Sequence, residues 1–191
     1  MATLNATNLK HASSGSNNII LAADGSTTIS NLSGGVGKIL QVVQTTLTTT
    51  VSQASSNTDF ALISGFTRSI TPSSSSNKVL VSVKIGCASA STGDGIVFRL
   101  YKDGSEVSGA RGSGGSTYGH GAFIHYNKDS QLMLYGGGFD YLDSPSASSQ
   151  ITYQIYWAST TTGSTTRYIN RRASSTGFTM LSTITAMEVA V

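Results

Sequence analysis

Charged side chains are scarce in this sequence. Asp, Glu, Lys and Arg make up 11% of its 191 residues, against about a quarter in an average soluble domain. Hydroxyl groups replace them, since the chain contains 32 Ser and 24 Thr. Only nine carboxylates are present. The composition therefore disfavours an acid–base enzyme and favours a β-protein whose surface is covered by hydroxyls and small residues.

Cysteine and long apolar runs are equally rare. The single cysteine, Cys87, excludes an intramolecular disulfide framework, and its place in an alternating segment predicts a small buried side chain. No segment approaches the roughly 20 apolar residues of a membrane span. The polar N-terminal residues do not resemble a secretory signal. We therefore expect synthesis in the cytoplasm and no membrane insertion.

The positive charge is weak and dispersed. The formal net charge is +3, and one local cluster contains Arg167, Arg171 and Arg172. Proteins that bind nucleic acid usually concentrate many more cations on one face. We therefore expect no nucleic-acid partner and interpret the cluster as a weakly basic, solvated loop.

Residues 1–37 differ from the rest of the chain. They are rich in Ser, Asn and Gly, and such a segment does not bury enough apolar surface by itself to offset the entropy of ordering. We predict an extended arm that orders against a partner, followed by a folded domain over residues 38–191. The apolar residues that would dock the arm are Leu4, Leu9, Ile19, Ile20, Leu21, Ile29 and Leu32.

Strand signals dominate residues 38–191. The clearest is a period-two pattern over residues 79–87, where Val79, Val81, Val83, Ile85 and Cys87 share one face. Further strands are predicted at 39–51, 60–71, 96–101, 122–127, 131–135, 151–157 and 178–191. About eight strands without a convincing helix predict an all-β fold, an antiparallel β-sandwich of the jelly-roll type.

The segment SITPSSSSNKVLVSVKIG, residues 69–86, predicts a turn between two of these strands. Pro72 does not donate a hydrogen bond to a β-ladder, so it ends the first strand. The four serines then turn the chain before Val79 starts the next strand. The turn either forms a hairpin or crosses between sheets.

No segment of the sequence matches a complete motif for a cofactor, a metal or catalysis. Gly34–Lys38 lacks the first glycine and the hydroxyl of a phosphate loop and precedes a strand. His120 and His125 are five residues apart, which suits a polar or interfacial role better than zinc binding. Asp140 and Asp143 could form a glycosidase pair, with Tyr141 and Trp157 stacking on sugar. However, the stretch GGGFDYLDSP that contains both aspartates resembles a turn-flanked strand end, and the in-phase position of Trp157 favours the core. We expect no enzyme activity, no cofactor and no metal.

Several stretches together resemble a β-sandwich domain of structural proteins of tailed bacteriophages: GKILQVVQT, GFTRSITPSSSSNKVLVSVKIG, YINR and STITAMEVAV. The polar opening LKHASSGSNNIILAADGSTTI is similar to N-terminal segments of phage fibre and appendage proteins. The resemblance covers nearly the whole chain. It implies a virion component, usually a homotrimer, whose sandwich projects outward while the N-terminal segment docks on the particle.

Two roles follow from this resemblance. A short arm and a small knob favour a decoration or cement protein on the virion surface, bound to the major capsid protein or another virion protein. The alternative is a short tail fibre that binds host-surface glycans, with Tyr118 and His120 in the glycine-rich loop as candidate ligand residues. The uncharged final strand, ending at Ala190 and Val191, is expected to serve as a contact between copies, as part of the core, or as both.

Overall fold

The chain divides into two compact units, residues 1–36 and 37–191. The computed structural model describes residues 8–9, 12–13, 15, 19–21, 23, 27–29, 38–56, 60–89, 93–113, 120–127 and 134–191. In the first unit, three short strands form an antiparallel sheet of order β1-β2-β3: β1 Asn8–Leu9, β2 Ile19–Leu21 and β3 Thr27–Ile29. The predicted arm therefore pairs with itself over these strands.

In the second unit, the described residues form strands and one short 3₁₀ turn at Ser108–Ala110. Among the described residues, no helix has the length and apolar character that a membrane span requires. The strands are β4 Ile39–Leu47, β5 Val51–Ser55, β6 Ala61–Ile70, β7 Lys78–Ser89, β8 Asp94–Lys102, β9 Ser105–Glu106, β10 Phe123–Asn127, β11 Tyr135–Asp143, β12 Ile151–Ser159, β13 Thr165–Ile169 and β14 Ser182–Val189.

These strands form two antiparallel sheets. In sheet 1, β4 and β5 pair with β14 and β13, which in turn lie along one side of β7, and β11 lies along the other side. Sheet 2 has the order β10-β8-β12-β6, with β9 beside β8. β4 and β5 continue one another along the edge of sheet 1, and β13 and β14 do the same beside β7. When each of these pairs is counted as one strand and β9 is counted with β8, the sandwich has eight strands. Their order is 1-8-3-6 facing 2-7-4-5, which is the jelly-roll order.

The core lies between the two sheets. The predicted face of β7 is confirmed, because Val79, Val81, Val83, Ile85 and Cys87 are all buried. From sheet 2, Ile151, Tyr153, Ile155 and Trp157 of β12 point into the same core. Trp157 is therefore a core residue. Cys87 is buried in the same core, and this burial raises the pKa of its thiol to about 12.

The serine segment crosses from sheet 2 to sheet 1. Strand β6 ends at Ile70, two residues before Pro72, and β7 begins at Lys78 in the other sheet. The sequence left open a hairpin or a crossing, and the structure shows the crossing.

Strand β8 is covered on both faces. Val97 and Arg99 lie on the face opposite the core residues Ile96, Phe98 and Leu100, and they are buried as well. The reason is that residues 120–122 cross the outer side of β8: Ala122 donates its N–H to the Phe98 carbonyl, and Arg99 donates to the His120 carbonyl. The Arg99 guanidinium also lies 3.8 Å from the centre of the Phe60 ring.

One sequence prediction needs correction, because the stretch GGGFDYLD, interpreted as a strand end, belongs to the nine-residue strand β11. The final strand was expected to serve as a contact between copies, as part of the core, or as both. It lies inside sheet 1 between β4 and β7 as β14, and its Ile184 and Ala186 are buried in the core. A contact between copies through this strand stays a prediction. Residues 131–133 of another predicted strand lie outside the described residues.

Candidate functional site

The predicted carboxylate pair is not brought together. On β11, Asp140 lies opposite Ser82 and is exposed, whereas Asp143 lies opposite Val79 and is buried. Their side chains point to opposite faces of the sheet, because neighbouring positions on a strand alternate. The two carboxylates therefore do not flank a common substrate position.

Asp143 serves the core. Its carboxylate accepts hydrogen bonds from the Tyr153 hydroxyl at 2.7 Å and from the Lys102 ammonium at 2.8 Å. Burial and then the bond to Asp143 raise the pKa of the Tyr153 hydroxyl. These contacts satisfy a buried charge, and they explain why a carboxylate is tolerated beside β12.

The histidines are separated as well. The His125 ring is buried and packs against Tyr135 with ring centres 4.0 Å apart. Burial lowers its pKa below the ordinary 6.5. His120 is partly exposed, and its carbonyl accepts from Arg99. Among the described residues, no group of three or more His, Cys, Asp or Glu side chains is placed to hold a metal ion.

A buried carboxylate, Glu188, organises one end of the sandwich. It accepts hydrogen bonds from the backbone N–H and hydroxyl of Ser73, from the Asn77 amide and from the Gln41 amide, at 2.6–2.7 Å. Burial alone would raise its pKa, but these donors outweigh that effect and lower it to about 2. Glu188 therefore ties the serine segment and β4 to the last strand.

The other end carries a second carboxylate network. Asp94 is buried and accepts from the Gly95 N–H and from the hydroxyls of Ser89, Ser159 and Thr160. These partners come from β7, β8 and the end of β12, so the carboxylate joins both sheets. In both networks, the hydrogen-bond donors around the buried carboxylate are paired with it. Glu188 and Asp94 therefore stabilise the sandwich, and neither carboxylate has the surroundings of a reactive group.

The outer face of sheet 1 exposes an apolar row. Four side chains stand side by side across its strands, because Met187 of β14 lies opposite both Val42 and Leu80, and Leu80 lies opposite Leu142. Val42 and Leu142 at the two ends are 57% and 47% exposed. We call these four residues, Val42, Met187, Leu80 and Leu142, the apolar row.

Next to the apolar row lies a groove of about 570 Å³. Its floor is open because Gly136 and Gly138 of β11 carry no side chains, and Lys84, Asp140 and Thr183 stand around it. Met180 and Leu181 form its far wall. Neither Lys84 nor Asp140 forms an ion pair with any described residue.

The far wall belongs to the segment between β13 and β14. Arg171 and Thr179 form an isolated bridge there, and Met180 lies directly over Gly86, where a methyl group would collide with it. Phe178, Met180 and Leu181 are exposed by 59, 37 and 54%. Sequence reasoning placed these residues in the last strand, whereas they cover the outer face of sheet 1.

The glycine-rich loop forms a smaller slot. Its described residues, Gly109–Gly112 and Gly121–Ala122, face Phe139–Tyr141 of β11 across about 260 Å³. Arg111 in this loop pairs with Glu106 at 3.2 Å. Of the two predicted ligand residues, His120 lies beside this slot in the chain, and Tyr118 lies outside the described residues.

The predicted docking residues fall in the first unit. Leu9, Ile19, Ile20, Leu21 and Ile29 lie on β1, β2 and β3, and Ile20 is 39% exposed. Leu4 and Leu32 lie outside the described residues. The docking role remains a prediction.

Comparisons with known proteins find likeness only among solved structures. No family model matches the chain, and no curated protein matches it. A VP2 subviral particle of infectious bursal disease virus is 12% identical, with a TM-score of 0.42, and covers 79% of this chain and 38% of that one. A structure of the Gt strain of that virus is 11% identical with a TM-score of 0.40, and the match covers 87% of this chain and 39% of that chain. The chain thus spans about two fifths of their length, and the fold assignment rests on the strand order.

Proposed function

We propose that this chain is a non-enzymatic structural protein of a virus particle, of the kind found in tailed bacteriophages. The main observation behind this proposal is that the apolar row and the wall formed by Phe178–Leu181 are exposed on the outer face of sheet 1. Soluble proteins that act alone rarely leave such contiguous apolar surface in water. Support also comes from the resemblance of the sequence to phage appendage domains and from a fold common among capsid proteins.

Within the particle, we propose a capsid decoration or cement protein on the virion surface. The unit of residues 37–191 would project as a knob, and residues 1–36 would dock on the major capsid protein or another virion protein. The resemblance implies that the knobs assemble as homotrimers. Residues 1–36 form a compact unit with a three-stranded sheet rather than an extended shaft, which suits decoration better than a long fibre.

The docking step is testable by sedimentation. The full chain and residues 37–191, which contain the whole sandwich core, would be mixed with particles that lack the protein. We expect the full chain to pellet with the particles and the shortened chain to stay in solution. Equal binding of both would overturn the docking role of the N-terminal unit.

The alternative is a receptor-binding tail fibre that recognises host glycans. The slot beside the glycine-rich loop favours it, because Arg111, Asp140 and Tyr141 line the slot and carry donors and acceptors for sugar hydroxyls. A glycan array with the wild-type chain and the Arg111→Ala variant tests this. Binding that disappears in the variant supports a receptor role, and silence of the wild type contradicts it.

A further inference from the structure

In the described part of the chain, strand β11 is paired on one side only. It pairs with β7 along its full length, and none of the described residues pairs with its other side. Exposed edges are normally protected by charged side chains, especially lysine, by proline or by a bulge. Residues 135–143, YGGGFDYLD, contain no lysine or proline, and their pairing with β7 is regular. Of the two charges on the strand, Asp143 is neutralised inside the core by Lys102, which leaves Asp140 as the one charge on the outer face. As far as the described residues go, the edge is therefore available to another strand.

We propose that β11 pairs antiparallel with β11 of a second copy of this chain, with Phe139 on the two-fold axis. The residue sizes support this register. The first half of the strand is glycine-rich and the second half is bulky, so self-pairing about Phe139 places Asp140 opposite the partner's Gly138 and Leu142 opposite the partner's Gly136. A register centred on Asp140 would set two aspartates against each other, which is unfavourable.

Charge complementarity supports the same register. Gly138 lies opposite Lys84 within one copy, so the partner's Asp140 is two strands from Lys84, about 10 Å between Cα atoms at the usual strand spacing. Gly138 has no side chain between them. The two long side chains can therefore meet above it, and the symmetry forms this pair twice. Within one chain, neither group is ion-paired with a described residue.

The exposed apolar groups also find partners. Leu142 of one copy would stand beside the partner's Gly136, over which the partner's Met180 lies. A methyl group on Gly136 would come within 3.4 Å of Met180 Cε in the same copy. Leu142 and the partner's Met180 and Leu181 would thus cover one another. The groove of each copy would be filled by Asp140 and Leu142 of the other.

The contact joins two sheets of four strands into one sheet of eight. On the inner face, the slot below Phe139–Tyr141 gives room for side chains of the added strand. The contact is independent of the virion role and is measurable on the purified chain. It does not close a ring of three, so in a trimeric particle component it would join one trimer to the next.

Sedimentation velocity of the full chain over a range of concentrations tests the contact. We expect concentration-dependent two-fold association, and Leu142→Lys should weaken it about 100-fold because two apolar contacts are lost. Val42→Lys, at the far end of the apolar row, is the matched control and should leave association unchanged. A wild type that stays monomeric, equal loss in both variants, or association that ignores Leu142→Lys would overturn the contact.

A charge exchange tests the register. Asp140→Lys and Lys84→Asp each place like charges together across the axis and should weaken association about tenfold. The double variant restores opposite charges and should recover it, while Lys78→Asp, on the same face of β7, should have no effect. A double variant as weak as the singles would contradict the pairing of Lys84 with the partner's Asp140.

Discussion

The two long sides of the sandwich are closed in different ways. On the side of β4 and β6, hydrogen bonds join the sheets: Thr45 donates to the Thr67 carbonyl at 2.8 Å and Gln41 donates to the Thr71 carbonyl at 2.7 Å. Gln41 also donates to Glu188, so the closure continues into the buried carboxylate network.

On the side of β10 and β11, packing of aromatic rings closes the gap between the two sheets. The Phe123 ring lies directly on Gly137, in space that a methyl group would need, and His125 packs on Tyr135. The backbone edge of β11 stays unpaired among the described residues. Hydrogen bonds between the sheets thus close the first side, whereas the second keeps backbone groups that no described residue pairs with.

Removing the centre of the hydrogen-bonded side should have the largest effect. Glu188→Ala removes the acceptor of four hydrogen bonds, one of them from the buried Asn77 amide and the others from Ser73 and Gln41. We therefore expect the free energy of unfolding to fall by about 3 kcal/mol. Urea unfolding at low protein concentration measures it. The control is Asp140→Ala, an exposed carboxylate of the same sheet, which should change stability by less than about 0.5 kcal/mol. Equal small effects would refute the network.

Acid should act on the same group. The pKa of Glu188 is about 2 in the folded protein, below the ordinary 4.5, so its contribution is complete above pH 4.5 and is lost as the pH falls towards 2. Glu188→Gln should therefore show a flatter decline of stability over that window than the wild type. Parallel curves would show that the carboxylate is not stabilised by folding.

On the ring-packed side, Gly137→Ala should cost about 2 kcal/mol, because the new methyl group displaces the Phe123 ring. Adding Phe123→Leu should recover part of the loss by making room. Gly136→Ala, the next residue but on the outer face, has space for a methyl group and should be nearly neutral. No recovery in the double variant would mean that the ring does not decide this closure.

The smallest effect concerns His125 on the same side. Burial lowers its pKa below 6.5, so the unfolded chain binds a proton that the folded chain excludes, and stability is lost as the pH falls through 6.5. His125→Phe keeps a ring against Tyr135, and its stability should not decrease as the pH falls through 6.5. Thermal unfolding from pH 8 to 5 measures it; an identical slope in both proteins would contradict the assignment.

The sequence predicted the strand that obeys a simple pattern. β7 alternates branched apolar and polar residues, and its buried face follows directly from that period. β11 was underestimated because three consecutive glycines have a low strand propensity. Gly137 and Gly138 are required by contacts with Phe123 and with the β7 backbone, and such contacts between distant segments leave no local signal.

The surface features were beyond sequence reasoning for a similar reason. The apolar row takes its residues from positions 42, 80, 142 and 187, and each looks like an isolated apolar residue until the strand register is known. The Glu188 network likewise joins residues separated by 111 to 147 positions. Fold class and core follow from local periodicity, whereas sites assembled from several strands depend on the topology.

The most direct test of the central claim is the copy number of this chain in purified virus particles, measured by quantitative mass spectrometry against the major capsid protein. A structural role on the shell predicts a number commensurate with the capsid lattice. A handful of copies would instead place the chain on a tail or vertex and support the receptor-binding alternative. Absence from the particles would contradict a virion role altogether.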